Sequence, residues 1–186
     1  AAPFVALRHD LHRHPELGLK EFRTSELLAE QLQSWGYSIT RGLATTGLVA
    51  QLQRGKGGKR LGLRADMDAL PIHEANDLAH CSVHAGVMHA CGHDAHVAML
   101  LGTATVLSKM KAQLSGDVMF IFQPAEEGPP PGEEGGAKLM LKEGISAKRK
   151  PDAIFGVHVW PGPAGQLQVK PEGIMAAADS FEITVK

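Results

Sequence analysis

The first fifty residues alternate between helical and strand-like spacing of apolar positions. Residues 4–14 and 21–35 place apolar side chains three or four positions apart, which predicts two helices, each with an inward-facing stripe. Gly36 is expected to end the second helix, since glycine commonly follows a helix C-terminus. Residues 38–40 and 48–52 have the short apolar pattern of strands. The chain is therefore expected to open with two helices followed by two strands.

A basic, glycine-rich segment, residues 54–60, follows the second predicted strand. Its composition predicts a turn, and its position between two strands favours a solvated hairpin tip. A phosphate-binding role is the alternative interpretation. It is disfavoured because the segment lacks both the spacing and the following helix of a P-loop.

Three later apolar runs predict buried strands, at residues 61–66, 117–122 and 153–157. Residues 71–89 show no periodicity, so a loop is expected there. Asp94 is expected to cap a helix that runs through Leu107, and residues 135–142 predict a short helix. Alternating helices and strands are typical of an α/β protein.

Each of these three strands is followed by side chains that bind metals. Asp66 and Asp68 end the first strand, Glu126 and Glu127 the second, and His158 the third. In open α/β sheets, ligands bind beyond the carboxyl ends of the strands. The pattern therefore predicts one shared site. The alternative interpretation is that the aspartates only cap loop amides and that His158 only fills a core position.

The segment HACGHDAH, residues 89–96, adds a thiol and imidazoles to these carboxylates. Cys91 and His93 offer sulfur and nitrogen, and mixed sets with carboxylates suit catalytic sites for zinc and its first-row neighbours. If one of the adjacent residues Glu126 and Glu127 turns towards a metal, the other is free to take a proton from water whose pKa the ion lowers towards roughly 7. A second metal about 3.5–4 Å away would clamp the reacting oxygens. The first hypothesis is a metal-dependent hydrolase.

The other histidines and the second cysteine have plainer interpretations. His89 and His96 are expected to hydrogen-bond to the site rather than bind metal. Surface or capping positions are expected for the remaining six, His9, His12, His14, His73, His80 and His84. Cys81 is expected to be an ordinary reduced thiol, since two cysteines do not make a disulfide framework.

Composition narrows the class of partner. A chain of 186 residues can bury a core and is expected to form one domain or a large part of one. Its net charge of −1 provides no field that would attract nucleic acid or an anionic membrane, so small-molecule chemistry is favoured. No run approaches the roughly 20 apolar residues of a membrane span. With reduced thiols, this favours a soluble, cytoplasmic protein.

Five motifs resemble one known family. They are LHRHPEL at 11–17, LRADMDALP at 63–71, MHACGHDAH at 88–96, FQPAEEG at 122–128 and GVH at 156–158. Together they resemble the amidohydrolase branch of the dinuclear metal aminoacylase and carboxypeptidase family, which includes hippurate hydrolases and N-acetyldiaminopimelate deacetylases. The resemblance implies a three-layer α/β sandwich with a central mixed, mostly parallel sheet flanked by helices. It also implies hydrolysis of N-acyl amino acids or short peptides, and a homodimer.

The resemblance also implies roles for individual residues. Cys91, His93, Glu127 and His158 would be ligands of two divalent ions, and Zn, Mn, Ni and Co all remain open. Glu126 would be the general base that later protonates the leaving amine, and Asp68 would support the site. Asp66 stands where related enzymes carry a ligand histidine, so it is not counted as a ligand.

The end of the chain departs from the family pattern. Residues 1–179 resemble the N-terminal part of the catalytic domain, and residues 180–186 resemble the first strand of an inserted lid or dimerisation domain. The rest of that insert and a final ligand histidine would be absent. The alternative is therefore a truncated, non-catalytic metal-binding or interaction fragment. A structural zinc module is a third option, but it leaves the paired glutamates unexplained.

Overall fold

The computed structural model describes residues 2–52, 58–145, 150–176, 181 and 183–185. Its four α-helices are α1 (Ala2–Arg13), α2 (Phe22–Ser34), α3 (His93–Lys109) and α4 (Gly136–Lys142). Its five strands are β1 (Ser38–Leu43), β2 (Gly47–Leu52), β3 (Arg60–Asp66), β4 (Asp117–Gln123) and β5 (Ala153–Gly156). A 3₁₀ turn spans Lys111–Gln113. Every helix and strand predicted before residue 158 is present, within a few residues of its expected ends.

The strands form one mixed sheet in the order β1-β2-β4-β3-β5. The pairs β1/β2 and β2/β4 are antiparallel, whereas β4/β3 and β3/β5 are parallel. Four of the five strands consequently run in the same direction, since only β2 opposes its neighbours. The carboxyl ends of β3, β4 and β5 meet at one edge, which is what positions the site.

Helices cover both faces of the sheet. All seven residues of β4 are buried, and the side chains of its five apolar residues alternate between two cores. Val118, Phe120 and Phe122 pack in the larger core, which also takes residues from α1, α2 and α3. Met119 and Ile121 pack on the opposite face with Met140 of α4. These layers confirm the predicted three-layer α/β sandwich.

The predicted hairpin between β2 and β3 is wrong. Residues 53–57 lie outside the described part of the chain, but β4 lies between β2 and β3, so the two strands are not neighbours. The physical reason lies in β4, which is buried along its whole length and needs a hydrogen-bonded strand on each side. β2 and β3 therefore lie on opposite sides of β4.

The prediction that β5 is a buried strand is also wrong. All four of its residues are exposed, with Ile154 at 56% and Phe155 at 59%. Within the described residues, β5 is the edge strand and pairs with β3 alone. An edge position leaves the apolar side chains of this strand partly uncovered.

Asp94 does not cap α3 as expected. Gly92 occupies the N-cap position, and the Asp94 carboxylate instead contacts Arg8 and His12 of α1. At the other end of the chain, Phe181 and residues 183–185 have no strand assignment, and Ser180, Glu182 and Lys186 lie outside the described residues. The proposed domain division at residue 180 thus stays a prediction. None of the helices in the described residues combines the length and apolar character that crossing a bilayer requires.

Candidate metal centre

His93 lies at the centre of a cluster of metal-binding side chains. Its Nε2 atom is 3.9 Å from Asp66 Oδ2, 3.9 Å from Glu126 Oε2 and 3.8 Å from Glu127 Oε1. Ligand atoms of Cys91, His93 and His158 also lie within 4.8 Å of one another. The structure therefore brings together, around one imidazole, all four predicted ligands and the predicted base.

The orientation of the His93 ring leaves a lone pair facing these carboxylates. Nδ1 lies 2.9 Å from the Asp68 carbonyl oxygen and 3.1 Å from Asp68 Oδ1, so we assign the ring proton to Nδ1. Nε2 is buried and has no hydrogen-bond partner among the described residues. Burial lowers the pKa of His93, but Asp68 and the nearby carboxylates more than offset this, so the net shift is upward. The cluster therefore stabilises positive charge at this point, as a cation site should.

Asp68 connects the imidazole to the turn that carries the glutamates. The residue is 1% exposed, and its Oδ2 accepts a hydrogen bond from the Glu127 amide at 2.9 Å. One carboxylate thereby orients His93 through Oδ1 and the Glu127 backbone through Oδ2. These two contacts are what a supporting role would require, and that role for Asp68 stays a prediction.

The two glutamates differ in exposure, although they are adjacent. The Glu126 side chain is 40% exposed and that of Glu127 is 21% exposed. Ala125, just before them, has a positive φ of 44°, which turns the backbone sharply after β4. The turn gives each carboxylate a different environment, as a division into ligand and base requires.

Cys91 and His158 meet beside His93. Cys91 Sγ lies 3.3 Å from His158 Nε2. Burial, followed by the neighbouring carboxylate of Glu127, raises the pKa of the Cys91 thiol to about 12. A bound divalent cation reverses this balance, because a coordinated thiol is deprotonated. A thiol, two imidazoles and carboxylates form a donor set that fits a first-row divalent metal.

Gly92 allows the cysteine segment to approach the residues that follow β5. Its φ is 87°, a left-handed value that glycine adopts without strain, and a Cβ there would lie 2.3 Å from Val159 Cγ2. The helix N-terminus can thus follow directly after Cys91 while His158 is close by. Glycine at this position is required both by the backbone and by the packing.

Asp66 and His96 also border the cluster. Ligand atoms of Asp66, His93 and His96 lie within 4.8 Å of one another. Asp66 forms an ion pair with Arg64, and burial raises its pKa to about 6. His96 Nε2 accepts a hydrogen bond from the Val159 amide at 3.0 Å, which occupies the lone pair that a metal would need. These contacts favour a supporting role for His96.

Sequence reasoning missed two buried polar residues near the site. His12 was expected at the surface but is 4% exposed, with Nδ1 2.9 Å from Asp94 Oδ2 and Nε2 3.1 Å from Glu74 Oε1. Glu21 was treated only as a helix start, yet it is fully buried and accepts a hydrogen bond from the Ala125 amide. Their partners lie far along the chain, so no local pattern indicated them. The other expected surface histidines, His9, His14, His73, His80 and His84, are partly or fully exposed.

Comparison with known proteins identifies the family. Residues 62–185, more than half of the chain, match the sequence model of peptidase family M20/M25/M40. The chain belongs to that family. Membership confirms the resemblance inferred from the motifs, and it agrees with the donor set around His93.

Members of the M20 family resemble the chain along nearly its whole length. Thermostable carboxypeptidase 1 of Saccharolobus solfataricus is 45% identical over 183 residues, which cover 97% of this chain and 45% of that protein. Hippurate hydrolase of Campylobacter jejuni is 41% identical over 183 residues, which cover 98% of this chain and 46% of that protein. The chain thus spans about half the length of the curated relatives it matches.

Solved structures lead to the same family. A dinuclear metal binding peptidase of the M20 family from Bacillus subtilis superposes with a TM-score of 0.77 at 39% identity. The match covers 86% of this chain and 43% of that chain. This similarity supports the fold described above, and it shows that a relative with this fold is a dinuclear metal binding peptidase.

Proposed function

We propose that the protein containing this chain is a metal-dependent amidohydrolase that hydrolyses the amide bond of N-acyl amino acids or short peptides. One observation carries the proposal. The buried Nε2 of His93 has no hydrogen-bond partner among the described residues and faces carboxylate oxygens of Asp66, Glu126 and Glu127. A structural core would not gather these groups around a lone pair, whereas a cation site needs them.

The proposed ligands are Cys91, His93, Glu127 and His158, which would share two divalent ions. Zn, Mn, Ni and Co all suit a thiolate, imidazole and carboxylate set. When bound, such ions act as Lewis acids and lower the pKa of water towards roughly 7. Asp68 would hold His93 and the Glu127 backbone in place through the hydrogen bonds already described.

Glu126 is the proposed general base. Its carboxylate is the most exposed of the cluster's acids and lies 3.9 Å from His93 Nε2, so it can reach a water molecule beside the ligands. Glu126 would take one proton from that water as the oxygen attacks the amide carbonyl. It would then pass that proton to the amine nitrogen as the C–N bond breaks, which yields a carboxylic acid and an amine. Transfer of the acid's remaining proton to the amine leaves a carboxylate and an ammonium ion.

The relatives favour a substrate with a free amino-acid carboxylate. A carboxypeptidase and a hippurate hydrolase, by their names, both cleave the amide bond that joins an acyl group to a terminal amino acid. We propose the same class here. A homodimer of the full-length protein and a cytoplasmic location complete the proposal, the latter supported by the free thiols of Cys81 and Cys91.

The test combines metal analysis with hydrolysis. The natural full-length protein and its Cys91→Ala and Glu126→Gln variants are loaded with Zn or Mn, desalted and measured by elemental analysis. Each is then assayed on N-acetyl and N-benzoyl amino acids. We expect two ions per wild-type chain, fewer in C91A, and full metal but a rate lowered by at least about 100-fold in E126Q.

Glu133→Gln is the matched control for this experiment. Glu133 is an exposed glutamate in the loop that follows the pair, outside the cluster, so its loss should leave metal content and rate unchanged. Wild-type protein that binds no metal, or an E126Q variant as active as wild type, would overturn the proposal.

A second candidate is a non-catalytic interaction fragment. It is favoured by the apolar side chains that β5 and the following residues expose, with Phe155 at 59%, Val157 at 57% and Trp160 at 66%. A surface of this kind is typical of an interface. The 186-residue chain would then bind metal or associate without hydrolysing any acyl amino acid, which the same assays and light scattering would reveal.

A further inference from the structure

Glu21 is a buried carboxylate directly behind the turn that carries Glu126 and Glu127. Its residue exposure is 0%. Oε1 accepts a hydrogen bond from the Ala125 amide at 2.9 Å, and Oε2 accepts one from the Thr46 hydroxyl. Burying a carboxylate is costly, and an apolar side chain of similar volume would stabilise a core better. The contact with Ala125 therefore suggests a purpose beyond packing.

Helix capping does not explain this residue. Glu21 occupies the N-cap position of α2, but its side chain makes no capping hydrogen bond. An N-cap side chain would accept hydrogen bonds from the amides of Arg23 and Thr24. These two amides donate instead to the Glu16 carboxylate, at 2.9 and 2.8 Å. The Glu21 carboxylate is thereby free to point away from its own helix and towards Ala125.

The turn at Ala125 needs to be held in place. Its φ of 44° is left-handed, a conformation that costs a non-glycine residue free energy. The chain encloses it closely, because a Cβ at Gly18 would lie 3.0 Å from Ala125 Cα and one at Gly136 would lie 1.8 Å from Pro124 O. The Gly136 amide also donates to the Ala125 carbonyl oxygen at 3.1 Å. Tight packing fixes the position of the turn, and Glu21 supplies an acceptor for its amide.

Two buried carboxylates thus hold the amides on either side of Glu126. Glu21 accepts from the amide of residue 125, and Asp68 accepts from the amide of residue 127 at 2.9 Å. We propose that Glu21 is a positioning residue that fixes the Ala125 turn, so that Glu126 faces the reacting water while Glu127 faces the metal. This inference rests on the roles proposed above for the two glutamates.

Variants of Glu21 and Thr46 distinguish the effect of the hydrogen-bond acceptor at residue 21 from the effects of its negative charge and of the stability of the fold. Glu21→Met fills the same volume without an acceptor, whereas Glu21→Gln keeps an oxygen that can accept from Ala125. Glu21→Asp keeps the charge but is one methylene shorter, and it replaces Glu21→Met should that variant not fold. Thr46→Val is the matched control, because it removes the other hydrogen bond to the same carboxylate and leaves the Ala125 contact intact.

Two measurements are made on the natural full-length protein. The first is kcat and KM for an N-acyl amino acid with Mn or Zn loaded. We expect kcat of E21M and E21D to fall about 100-fold with KM changed less than about threefold, because a misplaced base affects the chemical step. E21Q should remain within about fivefold of the wild-type kcat, and T46V should keep its kcat despite lower stability.

The second measurement does not depend on activity. Residue-resolved hydrogen exchange of the metal-free protein should show the amide of residue 125 exchanging at least about 10-fold faster in E21M and E21D, with β4 still protected. T46V and E21Q should keep this protection. A wild-type protein without hydrolytic activity would refute the proposed function but leave this exchange result to decide the role of Glu21. Unchanged exchange at residue 125, or a wild-type kcat in E21M and E21D, would overturn the inference.

Discussion

Asp68→Asn tests whether one buried carboxylate holds both a predicted metal ligand and the turn with the glutamate pair. Asp68 Oδ1 lies 3.1 Å from His93 Nδ1, and Oδ2 accepts from the Glu127 amide at 2.9 Å. Asparagine has nearly the same shape but only one acceptor oxygen. Its NH₂ group must therefore face one of these two N–H donors, and that hydrogen bond is lost.

The structure limits how large the effect should be. The backbone carbonyl of Asp68 still accepts from His93 Nδ1 at 2.9 Å, so the imidazole keeps one anchor in the variant. Loss of one hydrogen bond to a charged group should lower the free energy of unfolding of the metal-free protein by about 1.5–3 kcal/mol. Changes to groups that orient ligands lower metal affinity by about 10–100-fold. With one anchor retained, we expect a loss near 10-fold, or about 1.4 kcal/mol of binding free energy.

Metal affinity is measured by competition with a chromophoric chelator, and stability by urea unfolding of the metal-free protein. Asp77→Asn is the matched control, since Asp77 is exposed in the loop between β3 and α3 and the change in charge is the same. D77N should match wild type in both assays. The reasoning fails if D68N binds metal within twofold of wild type, or if D77N loses as much affinity as D68N.

The remaining predictions concern His12, Gly92 and Glu74. His12→Ala should lower the free energy of unfolding in urea by about 3 kcal/mol, because the buried carboxylates of Asp94 and Glu74 lose a shared partner; an unchanged midpoint would contradict this. Gly92→Ala should lower metal content and stability, since a Cβ there meets a valine methyl at 2.3 Å. The matched control is Gly86→Ala, because Gly86 has a similar φ of 78° with open space around it, and this variant should keep its metal. Burial raises the pKa of Glu74, but hydrogen bonds from a backbone amide, an asparagine and His12 lower it more, to a net value of about 2 against the ordinary 4.5. Because the pKa of Glu74 is depressed in the folded protein, its ionised carboxylate stabilises the fold above pH 4.5, and this stabilisation is lost as the pH falls towards 2. The free energy of unfolding of Glu74→Gln should therefore depend less on pH in that window than that of the wild type. Equal pH dependence for the two proteins would refute the prediction.

The strand ends could be predicted to meet because the relevant strands are parallel. Apolar runs marked β3, β4 and β5, and the parallel pairs β4/β3 and β3/β5 place their carboxyl ends at one edge. Asp68, Glu127 and His158 follow those ends. The order of the strands could not be predicted, since β2 and β3 are both apolar and consecutive, and neither indicates that β4 lies between them. The exposure of β5 was missed for the same reason, because its sequence is apolar but its place in the sheet is not local information.

The residues that orient the site were beyond the reach of sequence because their partners are distant. His12 contacts Asp94 across 82 positions, and Glu21 contacts Ala125 across 104. Burying a histidine or a glutamate costs free energy unless a polar partner contacts it. A local sequence pattern does not show such a partner, so it correctly favours a surface position for either residue. Metal ligands differ, since the cysteine and histidine types are informative by themselves and lie in short motifs. Groups that touch the metal can thus be proposed from spacing, whereas groups that hold those ligands in place become visible only through the contacts of the folded chain.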